Sequence, residues 1–234
     1  MDSLETELDR ARELDVNDLA DAIETIGFEC TRCGACCKAA DSGCGAGASG
    51  SDSAADTDTD DPEPHTATVF PDEIRQLQDV GEYDFRDVAR PMPYGIEETP
   101  DGAEGETFEW ALQTDGCGDC TFYEEADGVG ACTVHEDRPL ICRTYPFSVA
   151  LGGTSQPMGE AVDSEGMVRA HECEGLGRDI SRADAEELAA ALKERAVREL
   201  REAIGVRENY EHTAVDGVVV HDSEGQKRPD GTEL

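Results

Sequence analysis

Cysteine is the residue type in this chain whose number and spacing point most directly to chemistry. The chain has 234 residues, and ten of them are cysteine. Four stand close together, Cys30, Cys33, Cys36 and Cys37, in the pattern C-x2-C-x2-C-C. Two intervening residues let consecutive thiolates converge on one centre, while the turn between them directs backbone N–H groups at the sulfurs. This spacing predicts a thiolate metal site.

A second group of cysteines follows at wider spacing. Its first two members repeat the C-x2-C pattern, and the group comprises Cys117, Cys120, Cys132, Cys142 and Cys173. Arg32, Arg138 and Arg143 stand beside cysteines although the chain is strongly acidic. We expect these arginines to neutralise thiolate charge. A lone free cysteine is often just a small buried hydrophobic residue, but eight in this arrangement favour metal binding.

The spacing leaves the kind of metal open. The C-x2-C-x2-C triple also opens the bacterial ferredoxin motif, whereas a structural zinc site more often uses two separated C-x2-C pairs. Adjacent Cys36 and Cys37 are hard to place on one ion in an extended chain, which indicates either a cluster or two neighbouring centres. We favour an iron–sulfur cluster over zinc. His135 and His171 flank candidate ligands and could replace a thiolate on zinc, although such histidines more often only donate hydrogen bonds.

Two stretches of the sequence resemble the CxxCxxCC cysteine-cluster family, the YkgJ-like proteins with a zinc- or iron-chelating domain. The first is FECTRCGACC at 28–37, and the second is CTVHEDRPLICRTYPF at 132–147. The sequence CEG at 173–175 is similar to the closing cysteine of the family. The resemblance spans residues 28–177 and implies a pool of ligands: Cys30, Cys33, Cys36, Cys37, Cys120, Cys132, Cys142 and Cys173.

The chain departs from the family pattern at three positions. His135 stands where the family commonly has an aromatic residue, and Cys44 and Cys117 are extra cysteines. Cys44 lies in an acidic segment without apolar anchors, so we leave it out of the ligand set. Cys117 stays open, because its spacing to Cys120 suits a metal site.

Composition narrows the classes of partner. Lys and Arg number 19 and Asp and Glu 55, giving a formal net charge of −36. This resembles haloarchaeal proteins adapted to high internal salt, where ions screen self-repulsion, so we expect folding to require high salt. The negative electrostatic field of the protein disfavours binding to nucleic acid or to an anionic membrane. The sequence carries no secretory signal and no apolar run of about 18 residues, which predicts a cytoplasmic protein with reduced thiols.

The pattern of the chain predicts an α+β fold: a small irregular domain around a cysteine metal centre, with N-terminal helices and a long C-terminal helix. Asn17 is expected to cap the second N-terminal helix. The expected division is N-terminal helices over 1–27, a metal-binding domain over 28–177 with a disordered acidic insertion at 41–63, a helix over 178–205, and a strand with a loose tail over 206–234.

Within this division, individual elements follow from local patterns. A short strand over 66–70 leads into a helix that starts at Pro71. A strand is expected over 107–112, with a loop at 99–106 before it, and another strand over 147–151. The C-terminal helix should run from Ser181 to Ile204, with Gly205 just beyond its end, and bury the stripe Leu188, Leu192, Ala196, Leu200 and Ile204. Residues 218–220 are expected to add an edge strand, and the tail from His221 to be loose.

These observations favour a metal-binding protein with a structural or electron-transfer role. A shell made only of thiolates argues for a closed centre, because catalytic zinc usually keeps a water. The partners would be the metal or cluster and a redox or client protein. The alternative is an enzyme, either an iron–sulfur oxidoreductase or a metal-dependent group-transfer enzyme resembling the family's protein methylase. The sequence has no glycine-rich cofactor loop that would support the latter.

Overall fold

The computed structural model describes residues 2–39, 64–151 and 161–234. It contains helices and short antiparallel and mixed sheets, as the predicted α+β class requires. The acidic insertion predicted at 41–63, with Cys44 inside it, lies outside the described residues. No described helix is long and apolar enough to cross a membrane.

Within the described residues, six α-helices carry the architecture. They are α1 Leu4–Glu13, α2 Val16–Ile26, α3 Pro71–Gly81, α4 Phe85–Val88, α5 Leu140–Thr144 and α6 Arg182–Asn209, with single 3-10 turns at Ala35–Cys37 and His135–Asp137. Asp15, not Asn17, caps α2, since its carboxylate accepts from the backbone N–H groups of Asn17 and Asp18. As predicted, Pro71 starts α3, and Ser181 caps α6 by accepting from Asp184 N.

Helix α6 runs on through Gly205 to Asn209, so the predicted end at Ile204 is wrong. Gly205 does not end the helix but allows a close contact with Ser223. A Cβ at this position would lie 2.6 Å from Cβ of Ser223. The glycine therefore lets the turn after a C-terminal strand approach the helix closely.

In the parts of the chain that the structure describes, twelve short strands form four sheets. Their bounds are β1 Thr68–Val69, β2 Ala89–Pro91, β3 Ile96–Thr99, β4 Gly102–Thr107, β5 Trp110–Leu112, β6 Tyr123–Ala126, β7 Val129–Cys132, β8 Phe147–Val149, β9 Ala161–Asp163, β10 Val168–His171, β11 Val218–Asp222 and β12 Gly225–Lys227. The strand orders are β1-β5-β2, β8-β10-β9, β12-β11-β4-β3 and the hairpin β6-β7. Strands β1 and β8 lie within the strands predicted over 66–70 and 147–151.

The structure corrects the prediction for 99–112. Residues 99–106 belong largely to the antiparallel pair β3–β4 and are not a loop. The strand expected over 107–112 is interrupted, because β4 and β5 belong to different sheets. The chain crosses between the two sheets at Phe108, whose side chain is consequently 48% exposed.

The C-terminal segment is ordered instead of loose. Strand β11 is internal, not an edge, because it pairs with β12 and runs parallel to β4. His221 and Asp222 are buried. The Asp222 carboxylate accepts from Nε1 of Trp110 at 2.8 Å and pairs with Lys227 at 2.8 Å. These bonds tie the end of the chain to the protein interior.

Two apolar cores organise these elements. In the first, the predicted stripe of α6 packs with α1 and α2 against Phe147 of β8 and Val168 of β10. The second surrounds Trp110 and the buried face of α3, and it includes the side chain of Cys120. Partly buried Cys37, Cys132 and Cys142 pack against this second core. Apolar packing therefore gathers cysteines that lie far apart in the sequence.

Candidate metal centre

The centre begins at a tight turn in the first cysteine motif. Gly34 is left-handed at φ 77°, and the 3-10 turn Ala35–Cys37 follows it. Cys37 N donates to Gly34 O at 2.8 Å. This turn brings Sγ of Cys36 to 3.9 Å from Sγ of Cys37. Tetrahedral ligation with metal–sulfur bonds of about 2.3 Å separates two sulfurs by roughly 3.8 Å, so the adjacent pair suits one metal atom.

Backbone hydrogen bonds hold the second half of the chain against this turn. Cys120 N donates to Cys37 O at 2.8 Å, and Gly130 N donates to Arg32 O at 2.7 Å. Cys132 ends strand β7 and pairs with Tyr123 of β6 in the β6–β7 hairpin. The C-x2-C-x2-C-C motif and the hairpin therefore meet through main-chain contacts.

Helix α5 carries Cys142, and a buried carboxylate fixes its start. Glu73 Oε1 accepts from Leu140 N at 2.9 Å, and Glu73 Oε2 accepts from Phe70 N at 3.1 Å. One side chain thus joins the first turn of α3 to the first turn of α5. Glu73 is not among the residues that the sequence predicts to be functional. Its position at the third residue of a Pro-started helix was the available signal.

The last cysteine, Cys173, reaches the site from the other side. Its Sγ accepts from Gly175 N at 3.4 Å. Glu29 N donates to Gly175 O at 3.0 Å, and Gly177 N donates to Gly27 O at 3.0 Å. These bonds place the loop of Cys173 beside the chain that leads into Cys30.

The thiols influence one another electrostatically in two groups. Burial raises the pKa of Cys142 well above its usual value, and the thiols of Cys120, Cys36 and Cys132 raise it further. Burial likewise raises the pKa of Cys120 to about 11. The pKa of Cys173 is raised by burial and then by Cys33, Cys36 and Cys30.

Cys36 belongs to both groups. Its pKa falls to about 7, chiefly through the hydrogen bond from Cys37 and in smaller part through the charge of Arg138. The pKa of Cys37 rises correspondingly, because it keeps its proton while Cys36 is ionised. Several clustered thiols cannot all ionise without a cation between them, and a bound metal removes this restriction.

Residues 29–174 match the model of the CxxCxxCC family, described as "Putative zinc- or iron-chelating domain". The match covers more than half of the chain. The protein belongs to the CxxCxxCC family. No curated protein and no solved structure matches the chain. Membership supports metal binding in general, and the named metals, zinc and iron, are those that thiolates prefer.

All eight cysteines in the ligand pool implied by the CxxCxxCC resemblance are free thiols. As placed, no three Cys, His, Asp or Glu side chains in the described parts of the chain enclose a metal position. The ligand set therefore stays a prediction. The geometry that bears on it is the Cys36–Cys37 pair and the two electrostatic groups.

The remaining candidate residues are Cys117, two histidines and three arginines. Cys117 is disulfide-bonded and does not offer a free thiolate. His135 is exposed, with Nδ1 3.2 Å from Glu136 Oε1. His171 is buried, with Nε2 2.8 Å from Ser148 Oγ. Of the three arginines, Arg138 acts on both Cys36 and Cys132, which agrees with the neutralising role expected of it.

Proposed function

We propose that this CxxCxxCC protein holds metal through cysteine thiolates from both halves of the chain, in a structural or electron-transfer role. The approach of Cys36 Sγ to Cys37 Sγ, 3.9 Å, carries the proposal. Two adjacent thiolates at this distance suit one metal atom, and Cys120 N bonds directly to the same turn. The proposed ligands are Cys30, Cys33, Cys36, Cys37, Cys120, Cys132, Cys142 and Cys173.

Eight thiols exceed the four that one tetrahedral ion or one simple cluster takes. We therefore propose two neighbouring centres. One would use Cys30, Cys33 and Cys173, and the other would use the thiols gathered at the second core: Cys37, Cys120, Cys132 and Cys142. Cys36, 3.9 Å from Cys37, would be the thiolate ligand that bridges the two centres.

Iron–sulfur remains our preferred occupant, on the ferredoxin-like triple of the first motif. Arg138 lies close enough to lower the thiol pKa of Cys36, and a nearby guanidinium would offset part of the negative charge of a thiolate-ligated cluster. A shell made only of thiolates leaves no position for a water, which suits electron transfer or a structural role. A redox or client protein in the cytoplasm would be its partner.

The test is metal analysis and absorption spectroscopy of protein purified without air. We expect iron with acid-labile sulfide and visible absorption that bleaches on oxidation. Stoichiometric zinc in a colourless protein would overturn the choice of iron–sulfur and keep the thiolate site. A protein that holds neither metal after reconstitution would overturn the proposal as a whole.

Cysteine variants test the two centres. Cys142→Ser and Cys173→Ser should each lose roughly half of the metal, from different groups. Cys117→Ser removes a cysteine outside the free-thiol set and should keep full stoichiometry. If Cys142→Ser and Cys173→Ser both kept full metal content, these residues would not be ligands. If each lost all metal, one shared centre would replace the two.

One observation favours the alternative, an enzyme. A cavity of about 420 Å³ is lined in part by Ile141, the residue before Cys142. Cavities of this size bind small molecules in many proteins. An iron–sulfur oxidoreductase or a metal-dependent group-transfer enzyme would need such a space beside its metal. Turnover of a bound molecule that stops in Cys142→Ser would support this function.

A further inference from the structure

A cavity between α6 and the β1-β5-β2 sheet is a feature of the structure that the cysteines do not explain. Its volume is about 420 Å³. Apolar groups form most of its wall, including Met92, Trp110, Val149 and Leu200. This combination of size and apolar lining is typical of sites for small organic ligands.

Acidic side chains outnumber basic side chains on the wall of the cavity. Three carboxylates, Glu109, Glu199 and Glu202, line the cavity together with a single cation, Arg195. Nε of Arg195 bonds to Glu199 at 2.7 Å. Glu202 accepts from Ser223 N at 2.8 Å. The wall therefore has three acidic groups and one basic group beside its apolar surface.

The carboxylates also act on one another. The pKa of Glu109 is raised by burial and then by the charges of Glu199 and Glu202. Glu109 is itself exposed to solvent, and both neighbouring groups that act on it are also acidic. A positive charge held near these groups would relieve their repulsion, whereas an anion would increase it.

Exposed aromatic rings also line the cavity. Tyr94 and Phe108 line the cavity and are 64% and 48% exposed. Phe70, also on the wall, already carries the guanidinium of Arg198 over its ring, 4.6 Å from the centroid. Aromatic faces attract organic cations and pack well against apolar groups.

We propose that this cavity binds a small organic cation, an alkyl- or arylammonium, with its apolar body against Trp110 and Leu200 and its charge toward Glu109 and Glu202. An inorganic cation would make no use of the apolar wall, and a neutral molecule would make no use of the charge of Glu109 and Glu202. The proposal does not depend on the metal, because none of these residues belongs to the predicted ligand set.

Trp110 provides the measurement, because it is the one tryptophan in the sequence and it lines the cavity. Its fluorescence would be followed while phenethylammonium is added to the full-length protein in molar potassium chloride, which suppresses unspecific attraction of cations. Phenethyl alcohol has the same body without the charge, and methylammonium has the charge without the body. We expect phenethylammonium to bind at least tenfold more tightly than either.

Charge variants locate the site. Glu109→Gln and Glu202→Gln should each weaken phenethylammonium binding severalfold and leave the alcohol unchanged. Glu98→Gln removes the same charge from exposed Glu98 on β3, outside the cavity wall, and should have no effect. Equal weakening in all three variants would mean attraction to the general negative field, and the proposal would be wrong.

A steric variant tests the cavity itself. Ala203 lines it from α6 and is half-buried, so Ala203→Phe should fill the space and abolish the fluorescence change. Circular dichroism and the melting temperature must show that Ala203→Phe folds. If this variant does not fold, isothermal calorimetry on the charge variants replaces the steric test. Binding of phenethylammonium that no cavity variant weakens, or no binding at millimolar concentration, would overturn the proposal.

Discussion

The sharpest test of how the first cysteine motif is held is the substitution Gly34→Ala. Gly34 is left-handed and lies directly before the turn that brings Cys36 and Cys37 together. A Cβ at position 34 would lie 2.5 Å from Cζ of Tyr123. The ring has little freedom to move, because a Cβ built at Gly130 would also lie 2.7 Å from its Cε2 and its hydroxyl donates to Glu125 at 2.7 Å.

Gly128→Ala is a matched control for this change. Gly128 has φ of 76°, against 77° for Gly34, and a Cβ there would meet nothing within 4 Å. Both variants bear the cost of alanine in a left-handed conformation, about 1–2 kcal/mol. Only Gly34→Ala adds overpacking, which typically costs about 1–3 kcal/mol. For a chain of this length, the extra cost should lower Tm by about 3–10 °C beyond the control.

The assay combines thermal unfolding with metal analysis of reconstituted protein. Gly34→Ala should lose metal as well as stability, because the shifted turn separates the Cys36–Cys37 pair, whereas Gly128→Ala should keep its metal. Adding Tyr123→Ala to Gly34→Ala should restore space and recover part of both losses. If the two glycine variants behaved alike, contact with Tyr123 would not be what requires glycine at position 34.

Three further predictions concern carboxylates and their partners. Glu73→Gln removes one of two buried acceptors for backbone N–H groups. It should lower the free energy of unfolding by about 2 kcal/mol, which is roughly 4–8 °C in Tm, and weaken metal retention. Asp72→Asn on the exposed side of α3 should change little. Arg182→Gln frees three carboxylates that this arginine pairs with and should lower Tm most at low salt, whereas exposed Arg201→Gln should not. The pKa of Glu202 is raised, mainly by burial, so folding favours its protonated form. The stability that this group contributes is present below its ordinary pKa of 4.5 and is lost as pH rises. Glu202→Gln should therefore raise Tm by about 1–2 °C at neutral pH and leave Tm unchanged in acid.

The elements that the sequence predicts correctly are those with local causes. Proline at the first position of α3 and the Ser181–Asp184 pair at the start of α6 act within one turn, and both starts are as predicted. The apolar stripe of α6 also packs as its period indicates. The cysteines that pack at the second core were identified from spacing and family resemblance alone.

Errors arise where a distant contact overrides the local pattern. Gly205 is a plausible helix end by itself, but it lies inside α6 because Ser223 packs onto it. The polar tail after His221 resembles a loose end, yet Asp222 bonds Trp110 from 112 residues away. Glu73 holds Leu140 across 67 residues. No window of sequence contains both partners of such contacts, so pattern reasoning could not find them.

The placement of the thiols suggests why the metal and the fold depend on each other. Cys173 lies three residues before Leu176, which packs on the first core, while Cys142 and Cys132 pack on the second. Under the proposed ligation, each centre is attached to a different core, and Cys36 stands between them. Metal binding would then contribute to the free energy that holds the two cores together. Apoprotein should keep the helical first core, while the hairpin β6–β7, whose Tyr123 and Cys132 pack on the second core, should loosen. Equal protection of both cores from hydrogen exchange in the metal-free protein would refute this arrangement.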